Sequence, residues 1–275
     1  MQWLYLNGSL VRRDDEGAIP AGPSDDPTLI ETFRSHDGRV FRLAQHFERL
    51  CSGAPVLGLT IPLTLRDLET AVADVLARNE APAARLRLTV STGPARRTDV
   101  TLTATTLTGY PPELYEHGMH ATIADVRRDE TSALSRIKCE AGLRDGVLAR
   151  EQAREAGFDE AIMLNSRGSI AEATVSNAFV VRDGRLLTPK IEGGALPGIT
   201  RAAVLDIARE SRIETAETEV TLDELRACDE AFLTNSVMGV MPLTRLEGVP
   251  IGDGEVGQLT EQLSQRYREA VTQRQ

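Results

Sequence analysis

Apolar residues along this chain alternate with polar ones in some stretches and recur every third or fourth position in others, and these two periods predict its elements. Trp3-Leu4-Tyr5-Leu6 and Leu10-Val11 flank Asn7-Gly8, a dipeptide suited to the left-handed backbone of a tight hairpin. Residues 18–27 are rich in Pro, Gly, Ser and Asp and predict a loop. A strand follows over 29–34, with a turn at His36-Asp37-Gly38-Arg39. Leu43, Phe47 and Leu50 share one helical face, which predicts a helix over 43–51. Thr64 and Asp67 have capping-box spacing ahead of a second helical stripe, Leu68, Val72, Val75 and Leu76. Leu86, Leu88 and Val90 alternate with polar residues, as do Val100, Leu102 and Ala104, so these are two strands of a hairpin closed by 91–99.

Thr108-Gly109-Tyr110-Pro111-Pro112 interrupts the periodicity. It predicts an interdomain linker over 108–118, between a small N-terminal α/β domain (1–107) and a larger C-terminal α/β domain (119–275). The second domain is expected to hold strands at 121–126, 161–164, 170–173 and 231–234, and a hairpin 178–181/186–187 about Asp183-Gly184. Helices are expected at 140–156, 200–210, 222–228 (behind the capping box Thr221 to Glu224) and 256–270. The fold class is therefore α/β (α+β) in two domains, without repeats or low-complexity segments.

Composition narrows the function. A net charge of −10 and the lack of a basic block exclude a nucleic-acid partner but leave room for a small anionic ligand in a local cleft. No apolar run is long enough to span a bilayer, and the N-terminal residues lack a secretory signal pattern. Cys51, Cys139 and Cys228 are odd in number and widely spaced, which argues against a disulfide framework or a zinc site and for the reducing cytoplasm.

Only two lysines, Lys138 and Lys190, occur among 31 Lys and Arg residues. Arginine stays protonated, whereas a partly buried lysine can lose its proton and act as a nucleophile, so a chain this rich in arginine has reason to keep a lysine for Schiff-base chemistry. If Lys138 joins pyridoxal 5′-phosphate, further residue types are required. An acid must keep the ring nitrogen protonated, and Glu172 stands in the otherwise small, apolar strand Ile170-Ala171-Glu172-Ala173. Donors must meet the phosphate: Leu196-Pro197-Gly198-Ile199-Thr200-Arg201 is a turn opening a helix, whose first N–H groups point outward, with the Thr200 hydroxyl beside them. Arg49 and the Asn235-Ser236-Val237 turn are further candidates. Each also has a plainer reading, as an edge-strand glutamate, an N-cap turn, a solvated helix face and a strand-end turn.

In combination these motifs resemble a known family. Glu31-Thr32-Phe33-Arg34, His46-Phe47-Glu48-Arg49-Leu50, Lys138, Gly157-Phe158-Asp159-Glu160-Ala161, Gly168 to Thr174, Ser176-Asn177-Ala178-Phe179, Thr188-Pro189, Leu196 to Arg201 and Thr234 to Val237 occur in the order and spacing of the class IV aminotransferases. That family includes branched-chain aminotransferases, D-amino-acid transaminases and aminodeoxychorismate lyases. The resemblance implies the two-domain PLP fold type IV, D-amino-acid aminotransferase-like, as a homodimer with the cofactor between the domains. It implies that Lys138 forms the Schiff base and shuttles the proton, that Glu172 pairs with the ring nitrogen, and that Leu196 packs on the ring. Arg49, Ile199, Thr200 and Ser236, with its neighbour Val237, would hold the phosphate. The implied reaction is a ping-pong exchange between an amino acid and an α-keto acid.

The chain also departs from the family. Ala141 and Gly142 stand where many members carry Asn and Tyr after the lysine, and Pro20 to Pro27 replaces the usual Asp-Arg-Gly and Gly-Asp-Gly stretch. For the substrate carboxylate the candidates are Arg34, Arg96 and Arg97, although Asp99 stands where D-amino-acid transaminases add a histidine. These arginines favour a carboxylate substrate over a plain amine, and the favoured reading is a D-amino-acid-type transaminase with an α-keto acid acceptor, with aminodeoxychorismate lyase and a branched-chain L-amino-acid aminotransferase as alternatives.

Overall fold

The structure, a computed structural model, describes residues 3–13, 27–93 and 97–273. Most of the expected 18–27 loop, and Arg96, lie outside the described residues. The chain divides into two compact units, Met1–Thr108 with Ile137–Gly142, and Gly109–Arg136 with Leu143–Gln275.

The first unit contains β1 (Trp3–Leu6), β2 (Ser9–Arg12), β3 (Thr28–His36), β4 (Arg39–Val40), α1 (Leu43–Gly53), α2 (Leu65–Arg78), β5 (Ala84–Thr92) and β6 (Thr98–Thr106). Its strands form one sheet in the order β2-β1-β6-β5-β3-β4. The period-two pattern decides which face is covered. Leu86, Leu88, Val90, Val100 and Leu102 are buried, whereas Arg85 and Thr105, directly opposite each other, are exposed. α1 packs on β3, and α2 packs on β1 and β6 with the expected stripe Leu68, Val72, Val75 and Leu76 buried. The capping box forms: the Thr64 hydroxyl accepts from Asp67 N–H at 3.3 Å, and Thr64 N–H donates to the Asp67 carboxylate at 2.7 Å.

The second unit contains α3 (Pro112–His117), β7 (Met119–Arg128), most of α4 (Glu140–Glu155), β8 (Glu160–Asn165), β9 (Ile170–Ala173), β10 (Asn177–Arg182), β11 (Arg185–Pro189), α5 (Ile199–Glu210), β12 (Thr215–Thr218), α6 (Leu222–Arg226), β13 (Glu230–Asn235), β14 (Gly239–Leu246), β15 (Val249–Pro250) and α7 (Gln258–Thr272). The sheet order is β12-β11-β10-β13-β14-β7-β8-β9, with β15 on β14. Phe179 and Phe232, cross-strand partners on β10 and β13, stack at 4.8 Å and are fully buried. Such a pair adds about 1 kcal/mol beyond its buried area.

The 108–118 stretch, expected as the interdomain linker, is not irregular throughout: it carries α3, whose Tyr115 hydroxyl donates to Met238 C=O at 2.8 Å. The C-terminal segment is not a single block either, because 137–142 joins the first unit. β14 was not expected as a strand. Pro242 lies within it opposite Phe232, and a proline has no N–H for the ladder, which masks a strand in sequence.

Candidate active site

In the first unit β3 fixes the backbone around Lys138. Ile30 N–H donates to Lys138 C=O at 2.9 Å, and Leu29 and Cys139 form an antiparallel bridge. Ile137 and Cys139 on either side are buried, while Lys138 itself is half-buried. Gly53 at the end of α1 permits the close approach, since a Cβ there would lie 3.0 Å from Leu29 and 3.4 Å from Ile137.

Beside this segment is a buried charge cluster. Arg49 presents Nε to Glu31 Oε1 at 2.7 Å and Nη2 to Oε2 at 2.6 Å, a bidentate fork, and His46 Nδ1 lies 2.7 Å from Oε2. Burial alone would raise the Glu31 pKa. The Arg49 charge and the hydrogen bonds from His46 and Arg49 outweigh it and hold the group at about 2. Burial pushes the His46 pKa down; the hydrogen bond and charge of Glu31 oppose this, and the charges of Arg49 and Lys138 reinforce it. His46 is therefore neutral, with its proton on Nδ1, because a carboxylate only accepts.

In the second unit Glu172 is buried on β9. Its Oε1 pairs with Arg128 Nη2 at 3.1 Å, and its Oε2 accepts from Leu196 N–H at 2.9 Å and from Asn177 Nδ2 at 3.4 Å. Asn177 Nδ2 also donates to Leu196 C=O at 2.8 Å. This ties the acid to the turn that opens α5. Gly198 caps that helix without a side-chain hydrogen bond, so the N–H groups of Ile199 and Thr200 begin the helix uncapped by a side chain. The Thr200 hydroxyl lies 3.4 Å from the Tyr267 hydroxyl. Asn235 Oδ1 accepts from both Val237 N–H and Met238 N–H at 2.9 Å, folding the Ser236-Val237 turn, and Asn235 Nδ2 donates to Val175 C=O at 3.2 Å. The buried hydroxyls of Ser176 and Thr234 have no hydrogen-bond partner among the described residues.

The sequence-derived residues thus fall into two groups. Lys138 and Arg49 lie in the first unit; Glu172, Leu196, Ile199, Thr200, Ser236 and Val237 lie in the second. The substrate arginines are less gathered. Arg34 leaves β3 on the face opposite to Glu31, and its charge lowers the pKa of His36, for which burial is the larger cause. Arg97 is exposed, and its C=O accepts from Gly93 N–H at 2.6 Å. Asp99 is engaged by Asn7 Nδ2 at 2.9 Å, an anchor for the first hairpin. Ala141 and Gly142 fall in the first turn of α4, where Glu140 pairs with Arg87 at 2.7 Å. Sequence reading missed Glu31, His46, Arg128 and Asn177. For Glu31 a signal existed: it is an acid on the strand face it shares with the apolar Leu29 and Phe33.

The family model for amino-transferase class IV matches residues 28–246. A Methanocaldococcus jannaschii protein named provisionally as a branched-chain-amino-acid aminotransferase is 32% identical, over 98% of this chain and 96% of that protein. The D-alanine aminotransferase of Staphylococcus epidermidis is 29% identical over 98% of each. The solved branched-chain amino acid aminotransferase of Thermobaculum terrenum, in its PLP-containing holo form, superposes with a TM-score of 0.89 at 26% identity, covering 98% of this chain and 94% of that one. By the extent of this match the chain belongs to the class IV aminotransferases, enzymes that depend on pyridoxal 5′-phosphate.

Proposed function

We propose that this enzyme moves the amino group of a branched-chain L-amino acid to an α-keto acid. The observation that carries the reading is that branched-chain names prevail among the proteins similar over nearly the whole chain. The D-amino-acid reading rested on the hairpin-tip arginines. It has one D-alanine aminotransferase in its support, while Arg97 is exposed and Asp99 is occupied by Asn7.

The residues present fit the cofactor. The second unit offers a buried carboxylate at Glu172, an uncapped helix start at Gly198-Ile199-Thr200 and the orphaned Thr234 and Ser176 hydroxyls, and the first offers the largely buried guanidinium of Arg49; these are the residue types a phosphate-bearing cationic ring needs. When bound, pyridoxal 5′-phosphate supplies an electrophilic carbon and a conjugated ring that accepts the electrons of the substrate Cα–H bond. Lys138 Nζ would take the proton from the substrate Cα and deliver it to the cofactor carbon on the other side of the amino nitrogen. The Glu172 carboxylate holds the proton on the ring nitrogen, and Arg128 and the Leu196 N–H keep that carboxylate in place. Leu196 would pack on the ring. Arg49, the Ile199 and Thr200 N–H groups, the Thr200 hydroxyl, Ser236 and Val237 bind the phosphate. A homodimer in the cytoplasm belongs to the same reading, and sedimentation velocity checks the oligomer.

The test is a set of single half-reactions with the cofactor-loaded enzyme. L-leucine, L-isoleucine and L-valine are expected to discharge it and release their branched keto acids stoichiometrically. Discharge by D-alanine or D-glutamate alone would restore the D-amino-acid reading. Pyruvate from aminodeoxychorismate, without discharge by any amino acid, would make the enzyme a lyase.

A further inference from the structure

We propose that Glu31 is a positioning residue for the cofactor phosphate, acting through Arg49. The proposal rests on the reading above that Arg49 binds that phosphate. A long arginine side chain carries rotamer entropy that must be lost when it engages an anion. Glu31 removes that freedom beforehand. It grips Nε and Nη2 at 2.7 and 2.6 Å, and because the guanidinium is planar, this fixes the direction of the Nη1 edge as well. The grip is itself held: His46 Nδ1 donates to Glu31 Oε2 at 2.7 Å, and the His46 ring packs edge-on to Phe33 at 5.2 Å. Glu31 and His46 are buried and Arg49 largely so, with side chains 1% exposed for Glu31, 2% for His46 and 9% for Arg49.

The position of Glu31 in sequence gives the clamp a purpose beyond stability. Ile30, the residue before it, holds Lys138 C=O through its own N–H at 2.9 Å. Two consecutive residues of β3 therefore fix the lysine backbone and the phosphate cation. A nine-residue strand, paired with β5 from Thr28 to Arg34 and with β4 beyond, is a rigid ruler between them. A ligand joined to Lys138 at one end and to Arg49 at the other meets both at a set separation, which is preorganisation in the energetic sense.

A merely structural ion pair would weaken every ligand alike, so the test separates phosphate from ring. The full chain, freed of cofactor, is titrated calorimetrically with pyridoxal 5′-phosphate and with pyridoxal, which lacks the phosphate. The ratio of the two dissociation constants reads the phosphate contribution. Arg49→Met is expected to compress that ratio roughly ten- to hundredfold, as for a lost charge-assisted hydrogen bond. Glu31→Gln is expected to compress it on the same scale, and the double variant no further than Arg49→Met alone. If Arg49→Met compresses the ratio and Glu31→Gln leaves it unchanged, Glu31 is structural only and the proposal fails while the phosphate reading stands. If Arg49→Met itself leaves the ratio unchanged, the phosphate reading fails and takes the proposal with it. A double variant that falls further than Arg49→Met shows that Glu31 does not act through Arg49. Should Glu31→Gln not fold by circular dichroism, Glu31→Asp withdraws the carboxylate by one methylene, and an unchanged ratio there is equally fatal.

Discussion

Asn177 Oδ1 occupies the place a side chain on Gly198 would need: a Cβ built there would lie 1.9 Å from it. Asn177 has little room to yield, because its Nδ2 is held by Leu196 C=O at 2.8 Å and Glu172 at 3.4 Å. Gly198→Ala is therefore expected to push the amide away, loosening both the ring-nitrogen acid and the start of α5. The cost should be about 1–3 kcal/mol of stability from overpacking, with a drop in cofactor affinity. Thermal melts and cofactor titration check both. Asn177→Ala in the Gly198→Ala background should relieve the clash and recover stability. If Gly198→Ala is as stable as the native chain, the close approach is not a constraint.

Lys138 and Lys190 are distinguished by chemistry rather than by burial, since both are half-buried. Lys190 N–H donates to Thr218 C=O at 2.9 Å and its C=O accepts from Gly193, at the start of a short helical turn. Borohydride reduction of the loaded enzyme is expected to attach the cofactor to the Lys138 peptide alone, read by mass spectrometry. Lys138→Ala should take up no reducible cofactor. Label on the Lys190 peptide of that variant would move the nucleophile.

Arg128 places Nη2 3.1 Å from Glu172 Oε1, with both side chains about nine-tenths buried. Arg128→Met would leave the carboxylate buried without its cation, an unpaired charge that costs about 3–5 kcal/mol. It also loses the hydrogen bonds from Arg128 to Ser135 C=O and Gly194 C=O. If Glu172 pairs with the protonated ring nitrogen, bound cofactor replaces part of the missing charge. The melting temperature should then fall more without cofactor than at saturating cofactor. Equal drops would show that Glu172 gains no cation from the cofactor.

How much of this was legible in sequence depended on the range of the interaction. Local periodicity placed β5 and β6, and Thr64 and Thr221 marked helix starts, because capping involves residues three apart. β14 was hidden by Pro242, whose missing N–H is tolerated only in the tertiary context of Phe232 opposite. The return of 137–142 to the first unit depends on Ile30 N–H meeting Lys138 C=O, a contact more than a hundred residues apart that no local pattern encodes. Arg128 and Asn177 escaped notice for the same reason: an arginine at a strand end and an asparagine after a turn have ordinary local uses. Arg96 and Arg97 stand at a hairpin tip where similar transaminases place an arginine, and Arg34 lies on the Glu31 strand, but position along the chain carries no information about which face a side chain takes.

The Glu31, His46 and Arg49 cluster should make the first unit acid-sensitive in two stages. The His46 pKa lies below its ordinary 6.5, with burial the largest cause, ahead of the opposing Glu31 bond and the Arg49 and Lys138 charges. The unfolded chain therefore binds a proton there before the folded one does, and stability falls as the pH drops below 6.5. Glu31 is held at about 2 against an ordinary 4.5 because the Arg49 charge and the His46 and Arg49 hydrogen bonds overcome its burial. Its contribution is fully present above 4.5 and is lost as the pH falls from there toward 2, on the order of 3 kcal/mol in all. Urea unfolding between pH 7 and pH 2.5 should thus show a first decline that His46→Gln abolishes, since glutamine does not titrate. Glu31→Gln should remove the later decline and leave a lower, flatter profile. If His46→Gln keeps the slope between pH 6.5 and pH 5, the proton is taken up elsewhere and His46 is not the group that senses it.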